Sequence, residues 1–139
     1  MRHGLHGLAL RYAGADGGAA VSRIASVWLP YPPTVNHYWG TSGKRRYIKA
    51  EGLAFRAAVI GAWYATRQQG FANARLHVSV TVYPPDARKR DLDNVLKATL
   101  DALTHARAYE DDSQIDRLTV ERKEIRRGAA GVMVDIGER

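Results

Sequence analysis

The chain contains no cysteine. That absence excludes a disulfide framework, a zinc–thiolate centre and a thiol nucleophile. It is compatible with a reducing compartment, and a cytoplasmic location is expected. No apolar run approaches the roughly 20 residues of a membrane-spanning helix, so no membrane association is expected. Neither a phosphate-binding P-loop nor a dinucleotide fingerprint occurs. The five histidines, His3, His6, His37, His77 and His105, show no metal-ligand spacing with one another. Ser113 has no evident histidine partner for a hydrolytic triad. Acidic residues are also in short supply: 14 against 21 lysines and arginines, a net charge of +7. A small basic chain is attracted to polyanions, of which nucleic acid is the most abundant.

At 139 residues the chain is expected to form one domain with a real core. Residues 1–22 hold five glycines and no sustained periodicity, which predicts a flexible N-terminal leader. The short LALRYAG is broken by Arg11 and is no secretory signal. The domain proper is expected over residues 23–139. IASVWLP (24–30) reads as a strand, and residues 31–48 as a long loop punctuated by Pro32, Pro33, Gly40 and Gly43. Residues 49–70 predict a helix whose apolar face carries Leu53, Ala57, Ile60 and Trp63/Tyr64, with Gly70 as its stop. Residues 75–85 alternate as a strand, with Leu76, Val78, Val80 and Val82 on one face. A second helix follows over 90–108, then strands at 115–124 and 131–136 joined by a turn near RRGAAG. The expected fold class is α+β: a small single-domain β-α-β-α-β-β with a mixed sheet and two helices packed on it.

The chemistry concentrates in RKRDLDN, residues 88–94, where three cations run into two acids spaced two apart. On a helical wheel Leu92, Val95, Leu96, Thr99, Leu100 and Leu103 form the buried stripe, while Asp93, Lys97 and Asp101 step by four along the opposite side. Taken singly, Asp91 is a good N-cap and Asp93 complements the helix dipole and pairs with Lys97. A second acidic knot, YEDDSQID, follows the helix. If the chain turns back, Asp111 or Asp112 approaches the first-turn acids, and three converging carboxylates require a cation among them. Mg²⁺ suits such a set, with Mn²⁺ as a substitute.

Basic runs at Lys44-Arg45-Arg46 and Arg88-Lys89-Arg90 are suited to holding a phosphodiester backbone. Among the aromatics of the 31–48 loop, Trp39 is expected to anchor the loop to the core. Tyr38 is left open between anchoring and stacking on exposed bases.

RDLDNVLKATLDALTHARAYEDDSQI resembles the signature of the RusA-type Holliday junction resolvases, or crossover junction endodeoxyribonucleases. LPYPPTVNHYW and KAEGLAFR resemble that family's N-terminal segment and first helix, so the likeness spans residues 24–136. It implies a Mg²⁺-dependent endonuclease acting as a homodimer on four-way DNA junctions, in recombination and repair. Position by position, the resemblance makes Asp91, Asp93 and Asp112 metal ligands and Lys97 a catalytic lysine. It makes Arg88, Lys89 and Arg90 DNA contacts. His105-Ala106-Arg107 stands where glycine commonly follows the helix in that family, so the turn there is expected to differ. Rival expectations are a non-catalytic nucleic-acid-binding module and a nuclease of the same fold acting on another branched DNA.

Overall fold

A computed structural model describes residues 23–139; the expected leader, residues 1–22, lies outside the described residues. Strand β1 (Arg23–Pro30) is followed by a single helical turn, α1 (Val35–Tyr38), and a hairpin of β2 (Trp39–Ser42) and β3 (Arg45–Ile48). Then come helix α2 (Ala50–Ala65), strand β4 (Leu76–Tyr83) and helix α3 (Leu92–His105). A 3₁₀ turn (Asp112–Gln114) leads into β5 (Ile115–Arg122), and β6 (Gly131–Glu138) closes the chain. The α+β class holds, with a four-stranded mixed sheet in the order β1-β6-β4-β5 and the hairpin as a separate small sheet.

Alternation of β-branched residues builds the main sheet, because successive side chains point to opposite faces. Ala25, Val27 and Leu29 of β1 stand in register with Ile136, Val134 and Val132 of β6, which stand in register with Val78, Val80 and Val82 of β4. All nine are buried in one cluster with Phe55, Val59 and Trp63 of α2 and Val95 and Leu103 of α3.

Two expectations need correction, and the strand order adds what the sequence did not address. Residues 31–48 are not an unstructured loop: they hold α1 and the β2–β3 hairpin, whose tip is Gly43 at φ +62. Strands β5 and β6 are consecutive but not paired; β6 crosses to lie between β1 and β4. The physical reason is composition, since β6 carries a full apolar face that needs a central place whereas β5 does not. The buried face of α2 is also rotated from the one expected. Gly52, Phe55, Val59 and Trp63 are buried, while Leu53 and Tyr64 remain 53% and 62% exposed. Both stripes are apolar at helical spacing, so periodicity alone could not choose between them.

Helix α3 ends without glycine. Arg107 takes the left-handed conformation at φ 61. Its N–H donates to the Thr104 carbonyl, and that of Ala108 to the Leu103 carbonyl. This is the double bond pattern that glycine usually permits. Gly70 serves the same corner: a Cβ there would stand 2.4 Å from the Arg107 carbonyl oxygen.

The rotated face is open to test by chemical denaturation. Phe55→Ala is expected to cost about 3–5 kcal/mol, and Leu53→Ala no more than about 0.5 kcal/mol.

Candidate active site

The acids of the RKRDLDN segment stand where β4 hands over to α3. Pro84 and Pro85 end the strand, and the loop that follows is organised by Asp86. Asp86 accepts from the Arg88 backbone N–H at 2.9 Å and pairs with Arg90 Nη1 at 2.7 Å. The Arg90 guanidinium and the Arg88 amide hold the Asp86 carboxyl well below the usual range, at about 2. Arg90 is therefore half-buried and committed to the loop, with its guanidinium 5.6 Å from the Tyr31 ring centroid. Arg88 and Lys89 stay exposed.

Asp91 takes the N-cap position of α3, with extended φ and ψ of −82° and 139°, but its side chain makes no capping hydrogen bond. Asp93 and Lys97 lie exposed on the first turns of the helix. Asp91 borders a cleft of about 290 Å³ walled by Tyr31, Pro32, Pro33 and Thr34 on one side and Lys89, Arg90, Asn94 and Val95 on the other. Burial of the Tyr31 hydroxyl in this cleft raises its pKa, and the neighbouring Arg90 and Arg122 offset part of that rise. A separate cleft, of about 590 Å³, is lined by Val35 and Asn36 and, on the hairpin, by Trp39, Arg46 and Tyr47, with Lys49 beside them. Lys44, Arg45 and Arg46 are exposed at and beside the hairpin tip, and Arg46 lies 4.1 Å over the Trp39 ring.

Asp112 lies elsewhere. The segment 110–116 packs against the entrance to β4: Gln114 Nε2 donates to the carbonyls of Ala72 and Ala74, and Arg75 donates to the Ser113 carbonyl and to Asp116. Asp91 belongs to the exit from β4, where Arg122 at the end of β5 donates to the Arg90 carbonyl. Strands β4 and β5 are parallel and eight residues long, so entrance and exit are about 25 Å apart along the strand. Helix α3 runs back between them, and the chain after it emerges at the far end. The expected convergence of Asp111 or Asp112 on the first-turn acids does not occur within one chain. Among the described residues no three His, Asp or Glu side chains are grouped closely enough to hold a metal ion.

The acids also differ in commitment. Asp111 caps the 3₁₀ turn, accepting from the Ser113 N–H at 2.9 Å while Gln114 returns a bond to the Asp111 N–H. Asp101, expected on the outward face of α3, instead accepts from the buried Tyr38 hydroxyl and from Arg56 Nη2 at 3.0 Å. By contrast the side chains of Asp91, Asp93, Lys97 and Asp112 make no hydrogen bond or ion pair among the described residues. They are exposed and uncommitted.

Sequence reasoning missed the wall formed by Tyr31–Thr34 and the part played by Asn94. The two prolines signal a stiff segment, but nothing local says that it folds against a helix start far along the chain. Trp39 packs against the core as expected, half-buried, and Tyr38, which the sequence leaves open, is the fully buried ring beside it.

The family model described as endodeoxyribonuclease RusA matches residues 30–137. The crossover junction endodeoxyribonuclease rusA of Enterobacteria phage HK97 is 42% identical over 92 residues, covering 66% of this chain and 77% of the relative. The Escherichia coli K12 protein of that name is 39% identical over 93 residues, covering 65% and 75%. That of Enterobacteria phage 82 is 36% identical over 89 residues, covering 64% and 74%.

The loop chemistry yields a pH prediction. Because Asp86 is held at about 2, its pairing with Arg90 is fully present above the ordinary carboxylate pKa of about 4 and is lost as pH falls through about 2. Carboxyl-detected NMR titration is expected to give an Asp86 midpoint near 2, and Arg90→Ala to move it upward.

Proposed function

Because this chain belongs to the RusA endodeoxyribonuclease family, we propose that it is a metal-dependent endodeoxyribonuclease that cuts four-way DNA junctions in recombination and repair. The observation that carries the reading is the pair of exposed, uncommitted carboxylates, Asp91 and Asp93, beside a cleft walled by Tyr31, Lys89 and Arg90. Neither carboxylate is tied up in the fold, since Asp91 stands at the N-cap without making a side-chain capping bond.

The donor set fits a hard divalent cation. Mg²⁺ is commonly held by one or two carboxylates, with its remaining positions left to water and substrate phosphate. Asp91 and Asp93 would hold it, with Mn²⁺ as a substitute. When bound, such an ion supplies Lewis-acid polarisation of the phosphate and a more acidic water. Asp112 is the better third carboxylate than Asp111, whose oxygen is already taken by the Ser113 N–H. Its position at the other end of α3 supports the reading that it serves the site of a second copy, the active unit being a homodimer with each site shared between chains. Lys97, one turn beyond Asp93, supplies a cation to offset charge developing on the phosphate or to orient a ligand carboxylate. Arg88 and Lys89 hold the DNA backbone next to the site, and Lys44, Arg45 and Arg46 hold it along the hairpin. Arg90 contributes by shaping the loop as much as by direct contact.

Two measurements test this. Asp91→Asn and Asp112→Asn are each expected to keep junction binding and lose Mg²⁺-dependent cleavage. An equimolar mixture of the two inactive chains is expected to recover cutting in one strand, because one site of each mixed dimer is intact. A mixture that stays inactive would exclude shared sites, and full cleavage by either variant alone would exclude the residue as a ligand. Separately, Lys89→Ala is expected to weaken binding with a salt slope smaller by about 1, the signature of one phosphate contact. Parallel assays on junction, flap and duplex DNA identify the preferred substrate.

A further inference from the structure

The cleft at the hairpin holds none of the acids discussed above, and its volume of about 590 Å³ falls within the roughly 300–1,000 Å³ of small-ligand sites. The Lys49 N–H donates to the Tyr38 carbonyl at 2.8 Å, which fastens the foot of the hairpin to α1. Across the two strands Gly40 stands opposite Tyr47. A Cβ on Gly40 would come within 2.5 Å of the Tyr47 ring, so the ring lies against bare backbone. Tyr47 is thereby held in place and yet remains 45% exposed. A fixed, exposed aromatic ring is a platform on which another flat ring can stack.

Two further kinds of group border the same cleft. Asn36 is exposed on α1, and its amide can both donate and accept at the edge of a ring. Arg46 and Lys49 bring positive charge, and no Asp or Glu is among the lining residues. Successive side chains of a strand point to opposite faces, so the Tyr47 ring and the Arg46 guanidinium reach the cleft from different sides of β3. Arg46 lies 4.1 Å over the Trp39 ring, a contact through its flat face that leaves its N–H donors to a phosphate. A stacking ring, a donor–acceptor amide and uncompensated cations match the three parts of a nucleotide. We propose that this cleft receives one unstacked nucleobase of DNA at a branch point, stacked on Tyr47 with Asn36 at its edge and Arg46 and Lys49 on the adjoining phosphates.

The inference rests on the reading of this chain as a nuclease of branched DNA. Inside a duplex each base is covered on its faces by stacking and on its edge by pairing, so it cannot reach a pocket until it leaves the stack. A branch point interrupts the stack. Pro32, Pro33 and Thr34 wall the cleft beside Asp91, and Val35 and Asn36, next in the chain, line this one. A base held at Tyr47 therefore sets the branch point beside the acids. Tyr47 favours branched over plain duplex DNA and takes no part in the chemical step.

The test is fluorescence anisotropy without divalent metal, on a labelled four-way junction, on the same junction lacking the bases that flank the branch point, and on plain duplex. Tyr47→Leu is expected to bind the intact junction about tenfold more weakly, the usual cost of one lost base–aromatic stack. Its salt slope is expected to be unchanged, because stacking releases no counterions. Tyr47→Phe is expected to bind like the unaltered chain. Plain duplex is expected to bind the unaltered chain and Tyr47→Leu equally, which also shows that the variant is folded. On the junction without branch-point bases, Tyr47→Leu is expected to add no further loss, since ring and base act as one pair. Undiminished junction binding by Tyr47→Leu, an equal loss on duplex, a Tyr47→Phe as weak as Tyr47→Leu, or additive losses would each overturn the base site. Undiminished binding with Asp91-dependent cleavage intact would overturn this site alone and leave the nuclease reading standing. A Tyr47-dependent preference for junctions in a chain that cuts none would support the site and count against that reading.

Discussion

One buried phenol holds the functional end of the molecule together. Tyr38 is fully enclosed, and its hydroxyl donates to Asp101, which also pairs with Arg56. The bond joins α1, α2 and α3 at a single point. The Tyr38 carbonyl accepts from the Lys49 N–H at 2.8 Å, and a Cβ on Gly52 would stand 2.7 Å from that same oxygen. Burial first, and then the bond to Asp101, pushes the Tyr38 hydroxyl up to about 12, so it remains a neutral donor throughout the physiological range. Half-buried charges of this kind persist only when each has its partner. From this one fastening follow the start of the hairpin, the path of Tyr31–Thr34 and hence the wall of the cleft beside Asp91.

The aspartates divide by what they are already doing. Asp86 shapes the basic loop, Asp101 joins the helices, Asp111 caps the 3₁₀ turn and Asp116 binds Arg75 and Arg139. Their oxygens carry the architecture. Asp91, Asp93 and Asp112 carry none of it, so binding a cation would break no existing bond. That contrast marks the proposed ligands off from the structural acids more sharply than proximity does. It also separates Asp112 from Asp111, two neighbours that sequence alone treats as equivalent.

The parallel pairing of β4 and β5 sets the other constraint. A helix that links parallel strands returns the chain to the end where it began, so whatever precedes the helix and whatever follows it are parted by its length. Within one chain the acids at 91 and 93 therefore stand apart from the acid at 112. The same topology leaves β5 as an edge of the main sheet among the described residues. The separation of the carboxylates and the open edge are two consequences of a single connection.

Much of this was legible in the residues themselves. Alternation in LHVSVTVY and the stripe from Val95 to Leu103 specify a strand and an amphipathic helix locally, because burial of one face needs only period and side-chain type. The acidic motif and its basic approach were equally plain, and so was the family they resemble. What sequence could not choose was which of two apolar stripes of α2 turns inward, whether 31–48 folds, or where β6 is inserted. Those depend on partners distant in the chain: Gly52 against Tyr38, the hairpin against its own turn, β6 between β1 and β4. Chemistry of the site was fixed by residue type and local spacing. Its division between the two ends of α3 was fixed by strand direction, which is a property of the assembled sheet and of no single segment.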